Sequence, residues 1–95
     1  MITRIVKMTF REDAVDEFRE IFQDVRLNIA DFDGCQLLEL LKDLEDKTIF
    51  FTYSLWESEE HLKAYLNSLL FRETWESTKA LFAEEAEVWS LRNLG

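Results

Sequence analysis

Residues 49–56 place apolar side chains on both faces of one predicted strand. Because side chains alternate across a strand, one face collects Ile49, Phe51, Tyr53 and Leu55, and the other collects Phe50, Thr52, Ser54 and Trp56. A strand with one face in water normally alternates apolar with polar residues, so this pattern indicates burial on both sides. The few helices of so short a chain can cover only one face of a sheet. What covers the other face is the main question that the pattern raises.

The periodicity of the remaining apolar residues predicts two helical regions among three further strands. Apolar groups alternate in the strands and recur every three or four residues in the helices, which gives strands at residues 2–10, 35–42 and 84–92 and helices at residues 14–29 and 58–82. The resulting order, β-α-β-β-α-β, is typical of the ferredoxin-like α+β arrangement, an antiparallel sheet with its helices on one face. We expect a single domain over residues 1–95.

Polar and glycine residues mark where these elements begin and end. Asp13 and Ser58 are predicted helix N-caps, because a side-chain oxygen there can accept a hydrogen bond from a backbone N–H of the first turn. Gly34 can take the left-handed conformation that often follows a helix, and residues 67–68 predict a break within the second helical region. Residues 35–42 alone also fit a helix, because Leu and Glu favour helices. The turn and the strand that follow them favour a hairpin.

The chain is strongly acidic, with a net charge of −9 and a pI near 4.5. Such a charge repels nucleic-acid phosphates, and no cluster of Lys and Arg offsets it locally, so nucleic-acid binding is not expected. No apolar run approaches the roughly 20 residues that cross a bilayer, and the first residues lack the apolar core of a signal peptide. We therefore expect a cytoplasmic protein that does not bind membranes.

Missing residue types argue against several cofactor and metal sites. The two glycines, Gly34 and Gly95, leave no phosphate-binding loop and no dinucleotide fingerprint. A single histidine, His61, excludes a multi-histidine centre within one subunit, and a single cysteine, Cys35, disfavours a thiolate zinc site. We expect no intrinsic metal, haem, flavin or nicotinamide. We also expect a buried structural Cys35 and a solvent-exposed His61.

The run from Trp56 to Phe71, Trp-Glu-Ser-Glu-Glu-His-Leu-Lys-Ala-Tyr-Leu-Asn-Ser-Leu-Leu-Phe, resembles a segment of the antibiotic biosynthesis monooxygenase (ABM) domain family of dimeric α/β-barrels. In that family a strand-ending aromatic residue is followed by a Glu/Asp-Ser turn, an amphipathic helix and a small residue shortly before a Phe. Gly34 before the second strand also fits, and the resemblance covers essentially the whole chain. It implies the same ferredoxin-like fold and a dimer.

The resemblance also implies where a site lies and what it does. Members of the family include cofactor-free oxygenases that act on aromatic polyketides, haem-degrading monooxygenases and many uncharacterised small proteins. Where activity is known, the cavity lies between the helices and the sheet of one subunit. Tyr65 occupies a position that is often His or Trp, and Trp75 the position of the axial His in haem-degrading relatives. Val6 or Lys7 stands where those relatives have Asn. Because Trp75 replaces the axial His, the resemblance does not extend to haem ligation.

Three polar side chains are candidates for catalysis. Tyr65 can donate a hydrogen bond to a substrate oxygen or accept one from it. Arg4 or Lys7 can stabilise a developing enolate or phenolate, but the two lie on opposite faces of the first strand, so at most one points into a given cavity. The simpler roles are a core aromatic for Tyr65 and protection of an edge strand for the two cations.

Four further residues are candidates for substrate contacts. Trp75 can wall an aromatic ligand by stacking, and Asn67 can donate a hydrogen bond. Trp56 and Phe71 complete an aromatic lining. The simpler roles are packing or dimer contacts for the aromatic residues and a helix cap for Asn67.

Two functional hypotheses follow. In the first, the protein is a small cofactor-independent monooxygenase that acts on a planar aromatic or quinol-type molecule. In the second, it is a non-catalytic dimeric module that binds a small molecule or serves in assembly, which the shortage of acid–base residues supports. Both include a homodimer through the uncovered sheet face, because monomers rarely leave large apolar patches in water.

Overall fold

Four antiparallel strands form one sheet. The computed structural model describes residues 1–95 and gives the strands as β1 (Ile2–Thr9), β2 (Cys35–Lys42), β3 (Ile49–Trp56) and β4 (Glu87–Arg92). Their order across the sheet is β2-β3-β1-β4, so β2 and β4 are the two edges. The inner pair is in continuous register, with Ile2 opposite Trp56. The hairpin expected from residue 35 to residue 56 is confirmed, and β4 begins later than its predicted start at residue 84.

All the helices lie on one face of this sheet. They are α1 (Val15–Ala30), α2 (Glu59–Leu66) and α3 (Leu69–Lys79). The predicted ferredoxin-like α+β fold is therefore confirmed, and the break expected near residues 67–68 separates α2 from α3. None of the helices has the length and apolar character that crossing a bilayer requires.

Side-chain caps fix the starts of the two short helices. Ser58 Oγ accepts a hydrogen bond from the backbone N–H of His61 at 3.2 Å, which confirms the predicted N-cap of α2. Ser68 Oγ accepts one from the backbone N–H of Phe71 at 3.1 Å and begins α3 in the same way. The chain thus stops one helix and starts another within two residues.

The prediction that Asp13 caps the first helix is wrong. Asp13 lies inside a single 3-10 turn of residues 12–14, and α1 begins only at Val15, without a side-chain cap. The Asp13 carboxylate instead forms an exposed ion pair with Arg11, with Nε and Oδ1 3.6 Å apart. Because the 3-10 turn already directs the chain into the helix, the Asp13 side chain is not used as a cap. It points instead to Arg11, outside the turn.

Two separate hydrophobic clusters lie between the sheet and the helices. One is built around Phe10 and Phe50, and the other around Ile2 and Trp56. The two ends of β1 contribute side chains to different clusters, Ile2 to one and Met8 to the other. The middle residues 4–6 of β1 therefore lie between the two clusters. This division of the core positions the candidate site.

The face of the sheet away from the helices is uncovered. It carries apolar side chains that are between 37% and 47% exposed, namely Leu37, Leu41, Trp89 and Leu91. On β3, Phe50, Ser54 and Trp56 are buried beneath the helices, whereas the alternate residues face the uncovered side. The two-sided apolar character read from residues 49–56 is therefore a real property of the sheet.

Candidate functional site

A cavity of about 280 Å³ separates the two hydrophobic clusters. Side chains from the middle of β1 and β3 form its floor, and side chains from α1, α2 and α3 form its walls. The helix break explains why this space exists. Leu62 and Tyr65 of α2 pack into one cluster, and Leu81, which follows α3, packs into the other, so room remains between them.

The cavity opens at the β4 edge of the sheet. All six residues of β4 are exposed. Val88 of this strand lines the cavity although it is 47% exposed. The cavity is therefore accessible to solvent beside β4.

A continuous row of aromatic rings forms one wall of the cavity. The rings of Trp56 and Tyr65 are stacked with centroids 4.8 Å apart, and Phe71 meets Tyr65 edge-on at 5.3 Å. Phe71 in turn stacks on Trp75 at 5.8 Å. All four rings line the cavity, so the structure brings together the aromatic candidates that the sequence suggested. Such a wall suits a flat aromatic ligand.

Tyr65 presents the polar group of this wall. Its side chain is largely buried, with 9% of the residue exposed. Its hydroxyl makes no hydrogen bond within the chain, and because every fully buried polar side-chain atom has a partner, this oxygen is not fully buried. Burial raises the pKa of Tyr65, the nearby Cys35 adds to the rise and Arg4 opposes it. The phenol therefore stays protonated near neutral pH and can donate a hydrogen bond to a ligand oxygen.

Arg4 places a cation in the floor of the cavity. It lies in the middle of β1, with Ser54 of β3 and Ser90 of β4 as its neighbours in register. Its Nη1 donates a hydrogen bond to Ser90 Oγ at 2.8 Å. Burial lowers the pKa of Arg4 and Tyr65 opposes that shift, but a guanidinium still keeps its charge at physiological pH. A neutral phenol and a guanidinium thus serve one apolar cavity, an arrangement suited to holding an anionic oxygen.

Small hydroxyl side chains supply the remaining polarity, and no site role was predicted for them. Thr52 and Ser54 lie on β3, and Thr74 and Thr78 lie on α3. Two of these hydroxyls are already engaged: Ser54 Oγ accepts from Trp56 Nε1 at 3.0 Å, and Thr78 Oγ1 donates to the Thr74 carbonyl at 2.7 Å. The sequence did contain a signal, because Thr52 and Ser54 interrupt a run that is otherwise mostly apolar.

Two candidate residues lie outside the cavity. Lys7 is on the uncovered face of the sheet and forms an ion pair with Glu87, with Nζ and Oε2 3.7 Å apart. Asn67 is exposed at the end of α2, where its backbone N–H donates to the Lys63 carbonyl at 3.0 Å. The first strand therefore offers Arg4 to the cavity, and Asn67 has the helix-ending position that was its simpler interpretation.

His61 also lies outside the cavity, and it is less exposed than predicted. Its side chain is 30% exposed, and its Nδ1 is 2.7 Å from Ser58 Oγ. It packs over Gly34, whose φ of 90° is the predicted left-handed conformation. The position of His61 on its helix predicted exposure to water. The contact with Gly34, which is distant in sequence, covers part of its ring.

Cys35 is half-buried at the start of β2, where a fully buried residue was expected. Burial raises the pKa of its thiol, and a backbone hydrogen bond with Leu37 opposes that rise. A thiol with a raised pKa is a poor nucleophile. No group of three or more His, Cys, Asp and Glu side chains is arranged to hold a metal ion.

Comparisons with known proteins bear on the fold and the family. Residues 1–83 match the family model described as Antibiotic biosynthesis monooxygenase. No curated protein sequence matches the chain significantly. One similar solved structure is described as an antibiotic biosynthesis monooxygenase; it has 15% identity, a TM-score of 0.93 and 100% coverage of both chains. A conserved protein from Methanosarcina mazei Go1 has 21% identity and a TM-score of 0.92, with 99% of this chain and 94% of that chain covered.

The solved structures and the family model support different conclusions. At such low identities the solved structures show a shared fold, and they extend through β4. The family match ends before β4 but takes in β1, β3 and all the helices, which build the floor and walls of the cavity. Because the matched residues make up most of the sequence, the chain belongs to the antibiotic biosynthesis monooxygenase family.

Proposed function

We propose that the protein is a cofactor-independent monooxygenase that oxidises a planar aromatic, quinol-type small molecule. The observation that carries the proposal is the unpartnered phenol of Tyr65 within an aromatic-lined cavity. Every fully buried polar side-chain atom has a partner, so the Tyr65 oxygen is accessible and can donate a hydrogen bond to a ligand oxygen. Membership of the monooxygenase family supports the same conclusion.

The reaction needs only the substrate and O₂. The quinol loses a hydroxyl proton to water. Its anion then passes one electron to O₂, which gives a substrate radical and superoxide. The two join through a new bond between a ring carbon and oxygen, and the peroxide takes up a proton. Loss of water then leaves a carbonyl on that carbon. One oxygen atom enters the product, the other leaves as water, and the substrate supplies all the electrons.

The chain's own residues act on the anion in this scheme. Tyr65 is a neutral donor and not a base, because burial holds its proton on the phenol. Arg4 favours the anionic form of the substrate by its charge, and the apolar surroundings strengthen both interactions. The aromatic wall holds the ring flat, which keeps the reacting carbon in one position.

Incubation with a naphthalene quinol under isotopically labelled O₂ tests the proposal. We expect oxygen consumption above the rate of spontaneous oxidation, and one labelled oxygen atom in the product. Addition of superoxide dismutase separates this reaction from free-radical oxidation in solution, since only the latter is suppressed. Consumption at the spontaneous rate for quinols that bind the cavity would falsify the proposal.

A non-catalytic binding module is the second candidate. The observation that favours it is the set of polar groups in the cavity, which comprises an Arg, a Tyr and small hydroxyls but no side chain that titrates near neutral pH. No residue of the cavity therefore serves as a general base. Saturable quinol binding without oxygen consumption supports this candidate over the first.

We also propose that two copies associate through the uncovered face of their sheets. The exposed Leu37, Leu41, Trp89 and Leu91 form an apolar surface of the kind that monomers rarely present to water. A pair of facing sheets also suits the roughly 1,200–2,000 Å² that a stable interface buries. Sedimentation of a particle of one chain's mass at micromolar concentration contradicts this proposal. The cytoplasmic location expected from the sequence stays a prediction, which cell fractionation tests.

A further inference from the structure

Arg4 is a cation of the cavity without an acidic partner. The chain has 20 Asp and Glu residues against 11 Lys and Arg, so partners are plentiful. None of the ion pairs in the structure includes Arg4. Its guanidinium is half-buried and bonds to one uncharged oxygen, Ser90 Oγ. A partly desolvated guanidinium with free donors favours an anionic ligand.

A second copy of the chain does not supply that anion in the proposed dimer. Arg4 shares the helix-side face of the sheet with Val6 and Met8, and all three line the cavity. The proposed dimer uses the other face, which carries Lys7. An acidic side chain of a partner stacked on that face is separated from Arg4 by the sheet. The anion must therefore arrive inside the cavity.

We propose that the cavity takes an aromatic carboxylate of one or two rings, with the carboxylate on Arg4 and the rings against the aromatic wall. The inference rests on the proposed function in treating this cavity as the substrate site, and it narrows the substrate to an aromatic acid. It also refines the role of Arg4, which pairs with the carboxylate and leaves Tyr65 as the donor to the quinol oxygen. A guanidinium offers paired donors that match the two oxygens of a carboxylate. Ser90 occupies only one of the five N–H donors, so a pair remains available.

The size of the cavity sets the ring number. Its volume of about 280 Å³ lies just below the roughly 300–1,000 Å³ that ligand pockets usually have. One or two fused rings with a carboxylate fit such a space. The stacked Trp56 and Tyr65 supply the flat surface that the rings require.

Redox-inert probes separate this inference from the oxygenase proposal. Naphthoate and the uncharged naphthamide have nearly the same shape, and neither is a quinol, so their binding is independent of turnover. Quenching of tryptophan fluorescence and calorimetry measure the affinity of both probes for the wild-type protein. We expect naphthoate to bind about 10- to 100-fold more tightly than naphthamide, as for a hydrogen-bonded charge pair.

Two variants with the same change in net charge test whether Arg4 causes the preference for naphthoate over naphthamide. Arg4→Gln removes the cation of the cavity, and Arg26→Gln removes an exposed cation of α1 with the same change in net charge. We expect Arg4→Gln to reduce naphthoate affinity to that of naphthamide, and Arg26→Gln to leave both affinities unchanged. Arg4→Lys, which keeps the charge but not the paired donors, is expected to be intermediate. Circular dichroism of each variant verifies the fold.

Several outcomes overturn the inference. Equal affinity of the wild-type protein for the two naphthalene probes excludes a carboxylate anchor without any variant. An equal loss of both affinities in Arg4→Gln assigns Arg4 a packing role, and failure of naphthoate to bind at millimolar concentration excludes the ligand class. By contrast, charge-selective binding in a protein that never consumes oxygen supports the inference and rejects only the oxygenase.

Discussion

The indole of Trp56 and the phenol ring of Tyr65 are stacked with 4.8 Å between centroids and 24° between planes. Trp56 ends β3 and Tyr65 belongs to α2, so the pair joins the sheet to the helical layer. The polar edge of Trp56 is satisfied within the chain by Ser54, whereas the hydroxyl of Tyr65 is not. Trp56 therefore supports the position of Tyr65 and leaves the phenol free for a ligand.

Tyr65→Phe removes that hydroxyl while keeping the stacked ring. If the protein is an oxygenase of the proposed kind, quinol turnover falls about 10- to 1,000-fold, as when one donor to a developing oxyanion is lost. The free energy of unfolding changes by less than about 1 kcal/mol, because the hydroxyl has no partner in the chain. Tyr53→Phe, on the uncovered face of β3, controls for the substitution itself. Unchanged turnover and ligand affinity in Tyr65→Phe return Tyr65 to a packing role.

The same residue makes stability depend on pH in the alkaline range. Burial raises the pKa of Tyr65 above the value of about 10 that a tyrosine has in an unfolded chain. Above that pH the unfolded state releases a proton that the folded state retains, so the free energy of unfolding falls as pH rises. The free energy of unfolding falls by up to about 1.4 kcal/mol for each pH unit above that value. Urea unfolding between about pH 9 and 11 measures it. Tyr65→Phe is expected to lose this part of the pH dependence. Parallel plots of unfolding free energy against pH for the variant and the wild-type protein would contradict the prediction.

Gly34→Ala is expected to destabilise the protein strongly. Gly34 has φ of 90°, which disfavours any side chain, and an added Cβ collides with the ring of His61. We expect a loss of at least about 1–3 kcal/mol in the free energy of unfolding. Gly95→Ala is the matched control, since a Cβ there meets no heavy atom within 4 Å. Adding His61→Ala to Gly34→Ala relieves the collision but not the backbone strain, so it restores part of the loss. Full stability of Gly34→Ala in denaturant contradicts this account.

Ser58→Ala removes the N-cap of α2. The lost hydrogen bond to the His61 N–H is expected to cost about 0.5–2 kcal/mol of stability. Ser77→Ala, at an exposed interior position of α3, is the control and changes stability by less than about 0.5 kcal/mol. Thermal unfolding of both variants measures the difference. Equal melting temperatures would show that the cap contributes nothing.

Trp89→Glu tests the proposed dimer. Trp89 is 41% exposed on the uncovered sheet face, so a charge there costs an isolated chain little. In a dimer the same charge is buried opposite an apolar surface, and we expect dissociation to a folded monomer. Leu27→Glu, at a 69% exposed position of α1, is the control and leaves the assembly intact. Sedimentation equilibrium reports the mass, and dissociation by both variants alike argues against the sheet face as the interface.

The order of elements was available from the sequence because it depends on local information. The two-sided apolar run of residues 49–56 and the three- and four-residue spacing in α1 can each be read from one segment. The capping role of Ser58 and the left-handed Gly34 were equally predictable. Asp13 was not, because a single 3-10 turn moved the start of α1 past it.

The contents of the cavity were decided by tertiary structure. Strand alternation set Arg4 and Lys7 on opposite faces, but only the placement of the helices determined that Arg4 faces the cavity. Strand register joined Arg4 to Ser90, which is 86 residues away in sequence. His61 is covered because Gly34 packs against it. Periodicity assigns a residue to a face from its neighbours in sequence, whereas the partners on that face come from segments that meet only when the chain folds.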